Sequence, residues 1–150
     1  MKKLILLVTF TVSLLALRAQ TQLYGNEWID YSQPHYYKIK IWKDGMYRLQ
    51  ASTLSGIIPN LGGVNVNNIA LFHNGQQVPL YISSSTTLSS TDYIDFYGQK
   101  NIGDVDSSLY RSADLQPHPY YSLFTDTSIY YLTVTSSVAN KRYVEVVNDL

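Results

Sequence analysis

The stretch "NIALFHNGQQVPLYI", Asn68 to Ile82, constrains this chain more than any other. Asn74-Gly75 sits at its centre with apolar residues alternating on both sides. Asn-Gly is the favoured pair for a two-residue type I′ turn, because both residues tolerate positive φ. Such a loop sets His73 opposite Gln76, Leu71 opposite Val78 and Ile69 opposite Leu80. All four aliphatic side chains then share one face, and a slip of one residue breaks the match. Pro79 has no N–H to give to a ladder, so the strand belongs at a sheet edge or ends there.

The same arithmetic applied to "YYKIKIWKDGMYRL", Tyr36 to Leu49, predicts a second hairpin. A two-residue loop at Asp44-Gly45 mixes the faces. A three-residue loop, Lys43-Asp44-Gly45, sets Ile41 opposite Tyr47 and Ile39 opposite Leu49. It also places Gly45 where such loops need a left-handed residue. Further alternation predicts strands in which Ile94 and Phe96 face away from Tyr93, Asp95 and Tyr97. In Ile129–Thr135 the apolar face is Tyr130, Leu132 and Val134; in Arg142–Val147 it is Val144 and Val146. Ala51–Ser55 suits one helical turn, stopped by Gly56 and Pro59. Ser83–Thr91 reads as a surface loop, and 101–119 as a long irregular segment.

These elements predict an all-β chain: a mainly antiparallel sandwich or barrel-like domain with at most one or two helical turns. Fourteen tyrosines and a charged fraction of only 15% agree with that class. Met1-Lys2-Lys3, the apolar run Leu4–Leu17 and the small Ala19 have the layout of a secretory signal peptide. The run is shorter than the roughly 20 apolar residues of a spanning helix. The expected organisation is therefore a signal peptide over 1–19 and a β-rich domain over 20–150. Losing Lys2, Lys3 and Arg18 takes 11 basic residues to 8 against 11 acidic ones, a net charge of −3. A mildly acidic surface argues against nucleic acid, which needs a basic face. The chain holds no cysteine, which excludes thiol catalysis, disulfides and cysteine-zinc sites within it.

Chemical candidates are sparse, and each has a structural rival. His73 falls at a turn, where a polar residue is ordinary. His35 precedes Tyr36-Tyr37, and His118 lies between Pro117 and Pro119; no serine stands in a nucleophile setting beside them. Asp104-Val105-Asp106 after Gly103 has the residue types of an oxygen-ligand calcium loop, but not the spacing or closing Glu of an EF-hand. A polar turn is the simpler reading. Asp92 and Asp95 fall on opposite sides of a strand. The tyrosine pairs 36–37, 120–121 and 130–131 offer an aromatic platform for sugars, or cross-strand packing. No catalytic, cofactor-binding or metal-binding residue is assigned, and no cofactor is expected.

Four blocks in order, "YGNEWIDYSQPHYYKIKIWKDGMYRL", "NIALFHNGQQVPLYI", "DYIDFYGQKNIGDVDSSLY" and "LFTDTSIYYLTV", carry a resemblance. Over roughly Tyr24 to Thr135 the chain resembles the amino-terminal region of the type IX secretion sortase, the PorU family of gingipain-type cysteine peptidases of Bacteroidota. The resemblance implies a β-rich module ahead of a caspase-like peptidase domain. Members remove carboxy-terminal sorting domains from exported cargo at the outer membrane. It implies export to the periplasm, outer membrane or cell surface. The implied partners are a downstream peptidase domain of the same polypeptide, cargo and outer-membrane secretion components. No residue here inherits the catalytic His or Cys, so the chain itself is expected to be a non-catalytic scaffold or cargo-docking piece of a longer protein. The alternative is a stand-alone secreted module that binds glycan or protein.

Overall fold

A computed structural model of the chain describes residues 29, 35–118, 120–135 and 140–144. The chain divides into a unit Met1–Asp30 and a unit Tyr31–Leu150, and the described strands all belong to the second. The expected signal peptide over 1–19 lies outside the described residues.

Among the described residues, seven strands form two antiparallel sheets. The first holds β1 (Tyr36–Ile41), β3 (Ile69–His73), β4 (Gln76–Val78) and β7 (Ser128–Val134), in the order β1-β7-β3-β4. The second holds β2 (Gly45–Gln50), β5 (Tyr81–Ile82) and β6 (Tyr93–Gly98), in the order β2-β6-β5. Neither sheet closes into a barrel. One face of each turns inward, and their apolar residues form one core. Ile41, Ile69, Leu71 and Leu132 come from the first sheet; Ile94 and Phe96 come from the second. Full burial of an aliphatic or phenyl side chain of this size stabilises by about 1.5–3 kcal/mol. Along β6 the alternation is the one the sequence predicts: Ile94 and Phe96 are buried, and Tyr93, Asp95 and Tyr97 face out. On β7, Tyr130 and Leu132 are buried and Val134 half-buried. The helical turn is present as α1 (Ala51–Leu54), which buries Ala51 and Leu54.

The β3–β4 hairpin has the expected register, with Leu71 opposite Val78 and His73 opposite Gln76. Asn74 takes φ +46° and Gly75 +75°, as a type I′ turn requires. The ladder ends one pair earlier than the sequence suggests. Ile69 pairs across its other edge with Val134, and Leu80 does not oppose it. Pro79 has no N–H to continue the pairing. Leu80 instead donates to the Lys141 carbonyl at 3.2 Å and accepts from the Tyr143 N–H at 3.0 Å. The chain then enters the second sheet as β5. Both aliphatics are still buried, at 1% and 0% exposure, so the expected face is correct where the expected pairing is not.

Asn74→Pro is expected to destabilise by at least about 1 kcal/mol, since proline fixes φ near −65°. Asn74→Gly should change stability little. Chemical denaturation of the two variants checks this, and equal midpoints would refute it.

The second expected hairpin does not form. β1 and β2 lie in different sheets. Ile39 opposes Tyr130 and Ile41 opposes Ser128, while Tyr47 opposes Phe96 and Leu49 opposes Ile94. Trp42, Lys43 and Asp44 carry the chain from one sheet to the other. The crossing is pinned by the Tyr47 hydroxyl, which donates to the Lys43 carbonyl at 2.7 Å. It is pinned again by Asp44 Oδ1, which accepts from the Lys100 N–H at 2.8 Å. Gly45 has φ +156°, far from the left-handed helical value expected of it. Alternation identifies which residues face the core; two strands that both face inward satisfy it whether they pair or face each other across the sandwich.

The carboxy-terminal expectation also changes. Among the described residues Arg142 makes a parallel bridge with Leu80, and Val144 is 82% exposed rather than part of an apolar face; residues 145–147 of that expected strand, Val146 among them, lie outside the described residues. The contacts that hold this segment are polar. The Arg142 guanidinium donates to the carbonyls of Val66 at 2.6 Å and Ile69 at 2.9 Å. Burial lowers its pKa, the sign of a charge drawn out of water to reach them. No helix among the described residues is long and apolar enough to cross a membrane.

Candidate functional site

Asn101 follows β6 and closes the neck of a long excursion before β7. Its N–H donates to the Asp126 carbonyl at 2.9 Å, and its side-chain amide donates to the Thr125 carbonyl at 3.0 Å. Its side-chain oxygen accepts from the Gly103 N–H at 2.9 Å. The chain between these ends carries two 3-10 turns, Asp106–Leu109 and Ala113–Leu115. Inside the loop, Gln116 Nε2 donates to the carbonyls of Gly103 at 2.9 Å and His118 at 3.1 Å. Gly103 has φ +80°, and a Cβ on it would lie 3.0 Å from the Tyr121 carbonyl oxygen. The two legs of the loop therefore touch where only glycine fits.

This loop displays apolar side chains. Leu109 (65%), Phe124 (64%), Tyr120 (75%), Val105, Leu115 and Leu123 are all exposed. Ring contacts link some of them to neighbours: Tyr110 to Phe124 with centroids 6.4 Å apart, and His118 to Tyr121 at 3.8 Å. Long loops with closed necks and their own internal packing are where proteins commonly carry function. Exposed large apolar groups gathered in one segment mark an interaction surface.

The histidines do not come together. His73 stacks on Tyr130, with centroids 4.2 Å apart and planes 7° apart, and its Nδ1 donates to the Ile129 carbonyl at 3.1 Å. That is a packing role. His118 Nδ1 accepts from the Tyr120 N–H at 3.1 Å and so shapes the loop. His35 lines an apolar cavity of about 280 Å³ with Tyr37, Ile58, Pro59, Val64 and Val134. Of the tyrosine pairs, Tyr120 and Tyr121 are exposed, Tyr130 is buried, and Tyr37 packs on the core.

The two carboxylates Asp92 and Asp95 serve separate structures. Asp92 accepts from the Ser89 hydroxyl at 2.6 Å, the Ser83 hydroxyl at 2.7 Å and the Ser89 N–H at 2.8 Å. It thereby staples the 83–92 loop, and Leu88 within that loop is buried. Those bonds, Ser89 foremost, hold its pKa below the ordinary 3.8. A depressed folded-state pKa contributes stability that is present above the unfolded value and lost as pH falls through the folded one. Asp92→Asn should therefore flatten the fall of melting temperature between about pH 4 and the lower folded value. A melting profile over acid pH identical to that of the parent would contradict this.

Asp95 pairs with Arg48 through two bonds of 2.8 and 2.7 Å. The guanidinium lies 3.6 Å from the centre of the Tyr93 ring. Tyr81 and Tyr97 are exposed on the same outer face of the second sheet, and Tyr143 brings its hydroxyl within 3.3 Å of the Tyr97 N–H. Sequence reasoning missed this cluster, because seeing it requires the β2–β6 register that sets Arg48 opposite Asp95.

Asp104 and Asp106 stand at the start of the loop. Asp104 is engaged on both oxygens: Oδ1 accepts from the Val105 N–H at 3.1 Å, and Oδ2 from the side-chain amide of Asn74 in the β3–β4 turn at 3.2 Å. Asp106 is 6% exposed, and its Oδ2 has no hydrogen-bond partner among the described residues. No group of three or more His, Cys, Asp or Glu side chains that could hold a metal occurs among the described residues. Comparison with protein-family models, with curated proteins and with solved structures finds no match to this chain.

Proposed function

We propose that this chain is a non-catalytic β-sandwich module that works by protein contact: the amino-terminal scaffold or cargo-docking domain of an exported, sortase-like cysteine peptidase of the type IX secretion system. The observation that carries the docking part is the loop closed by Asn101, with Leu109, Leu115, Tyr120, Leu123 and Phe124 presented to solvent. A protein surface of complementary apolar character, on the downstream peptidase domain or on cargo, is what such a loop suits. The peptidase context rests on the four sequence blocks resembling that family. A chain with no thiol cannot itself supply the thiolate such a peptidase uses.

The test is a titration of the purified chain against a gingipain-type peptidase domain and, separately, against a cargo sorting domain. Saturable binding that is lost in Leu109→Asp and Phe124→Asp, with circular dichroism unchanged, supports the reading. Absence of binding to both overturns it. Cleavage of sorting-junction peptides by the chain alone overturns the non-catalytic part.

The second reading, a stand-alone glycan-binding module, is favoured by one observation: the outer face of the second sheet, where Arg48, Asp95, Tyr81, Tyr93 and Tyr97 meet. Aromatic faces beside a neutralised charged pair suit the apolar faces and hydroxyls of a sugar. Oligosaccharide binding lost in Tyr97→Ala, but retained in Leu109→Asp, would replace the first reading with this one.

A further inference from the structure

We infer that the free edge of β2 is a binding site for an extended, acidic segment of a partner protein, taken up as a further strand of the second sheet. β2 ends the order β2-β6-β5, so one of its edges is paired and the other is open. The groups on the open edge can be named. Ala51, just past β2, donates its N–H to the Asp92 carbonyl at 2.9 Å, so odd positions of this arm turn their backbone groups toward β6. On β6, the Tyr93 carbonyl accepts from the Ser83 N–H at 3.1 Å and the Tyr97 N–H meets the Tyr143 hydroxyl at 3.3 Å, both away from β2. Gln50, Arg48 and Met46 lie opposite Tyr93, Asp95 and Tyr97. Their N–H and C=O groups therefore line the open edge, and all three residues are exposed. This edge lacks the features by which sheets refuse a new strand. It is six residues long, its register with β6 is unbroken by a bulge, and it holds no Pro or Lys. The edge strands β4 and β5 are three and two residues long, and β1 carries Lys38 and Lys40.

Main-chain bonds hold an added strand, and its alternate side chains set which strand is taken. β1 and β2 are successive edge strands joined by three residues, so they stand at one border of the sandwich. That border is open on its inner side. Tyr37 and Ile39 of β1 and Tyr47 and Leu49 of β2 pack on the core but are only partly buried. One strand further in, Leu132, Ile94 and Phe96 are fully buried. Apolar side chains at alternate positions of the incoming strand would cover Tyr47 and Leu49. Its other positions face outward, at a border rich in cations. Within 36–50 stand Lys38, Lys40, Lys43 and Arg48 against the single carboxylate Asp44. Asp95 neutralises Arg48, while the three lysines form no salt bridge among the described residues. Acidic residues on the incoming strand complement that charge. A second copy of this chain would bring the same lysines to the same border, and like charges oppose that pairing. The edge belongs to a different segment from the 101–127 loop, so it can act whether or not the loop docks.

The experiment uses the whole chain and a fluorescein-labelled peptide, Thr-Val-Glu-Val-Thr-Val-Glu-Val, with a second peptide bearing Lys in place of each Glu. The acidic peptide should bind saturably, and the lysine peptide more weakly by roughly tenfold or more at low salt. Hydrogen exchange locates the strand. In the free chain the amides of Met46, Arg48 and Gln50 should exchange quickly and those of Tyr47 and Leu49 slowly; the acidic peptide should slow the first three. Met46→Pro removes an outward N–H that β6 does not use, so it should melt close to the parent yet bind the acidic peptide at least about tenfold more weakly. Met46→Ala should bind as the parent does. No saturable binding of the acidic peptide overturns the proposal, as does equal binding of the lysine peptide. Slow exchange at Met46, Arg48 and Gln50 in the free chain would show that the edge is already paired, and overturns it whether or not Met46→Pro folds. Self-association of the parent that Met46→Pro abolishes would make the occupant a second copy, and overturns the assignment to an acidic partner.

Discussion

Phe96→Ala is expected to lower stability by about 3–5 kcal/mol, the range for emptying a well-packed aromatic site. Phe96 is fully buried. It stacks on Tyr47 of its own sheet, with centroids 5.7 Å apart, and meets Tyr130 of the facing sheet at 5.6 Å. Tyr130 in turn stacks on His73. The row of four rings runs from β2 through β6 to β7 and β3, and so ties the two sheets together. Removing the ring leaves a void that neighbours fixed by hydrogen bonds are slow to fill. Tyr130 cannot easily follow, because its hydroxyl accepts from the Gln99 N–H at 2.9 Å. Domains of this size are stable by about 5–15 kcal/mol, so the loss is a large fraction of the total. Tyr97→Ala, on the exposed side of the same strand, should cost far less. Urea denaturation measures both, and similar midpoints for the two variants would mean that Phe96 is not the hinge of the core.

How far the sequence foretells this arrangement depends on what each signal encodes. Period-two alternation encodes a face, and the faces it predicts on β6 and β7 are found. It does not encode a partner. Ile39 and Ile41 match Leu49 and Tyr47 in pattern, yet β1 pairs with β7, far along the chain, because both sheets draw on the same core. The Asn-Gly turn does encode a partner, since its geometry brings the two flanks together locally; that hairpin forms in the expected register. Pro79 signals a strand end, but nothing local says that the chain changes sheets there.

The candidate surface is less legible. The 101–119 segment is recognisable as irregular from its Gly, Asp and Pro. That Leu109, Leu115 and Phe124 point outward is not, since an aperiodic apolar residue carries no sign of its side. Asp104 and Asp106 look alike in sequence. Only the 3-10 turn starting at Asp106 buries one of them and leaves the other in solvent. Arg48 offers no signal at all until its strand partner is known.

Gly98→Val is the second large effect expected, and its cause is crowding rather than loss. Gly98 ends β6 opposite Gly45, where the chain has just crossed between the sheets. A Cβ there would lie 2.8 Å from Tyr47 Cδ2 and 3.1 Å from Ile41 Cγ2. Both distances are inside van der Waals contact, so something must move. Ile41 is buried in the core. The Tyr47 ring is held twice, by its stack on Phe96 and by its hydroxyl on the Lys43 carbonyl. Overpacking of this kind costs about 1–3 kcal/mol for a small group and more for a branched one. Gly98→Ala should fall in that range, and Gly98→Val beyond it. If the ring is the obstacle, removing it should relieve the strain. The double variant Gly98→Ala with Tyr47→Ala should then be more stable than the sum of the two single losses implies, by at least about 0.5 kcal/mol of coupling. Strict additivity in that cycle would show that Gly98 is required for its backbone, and not for the space it leaves beside Tyr47.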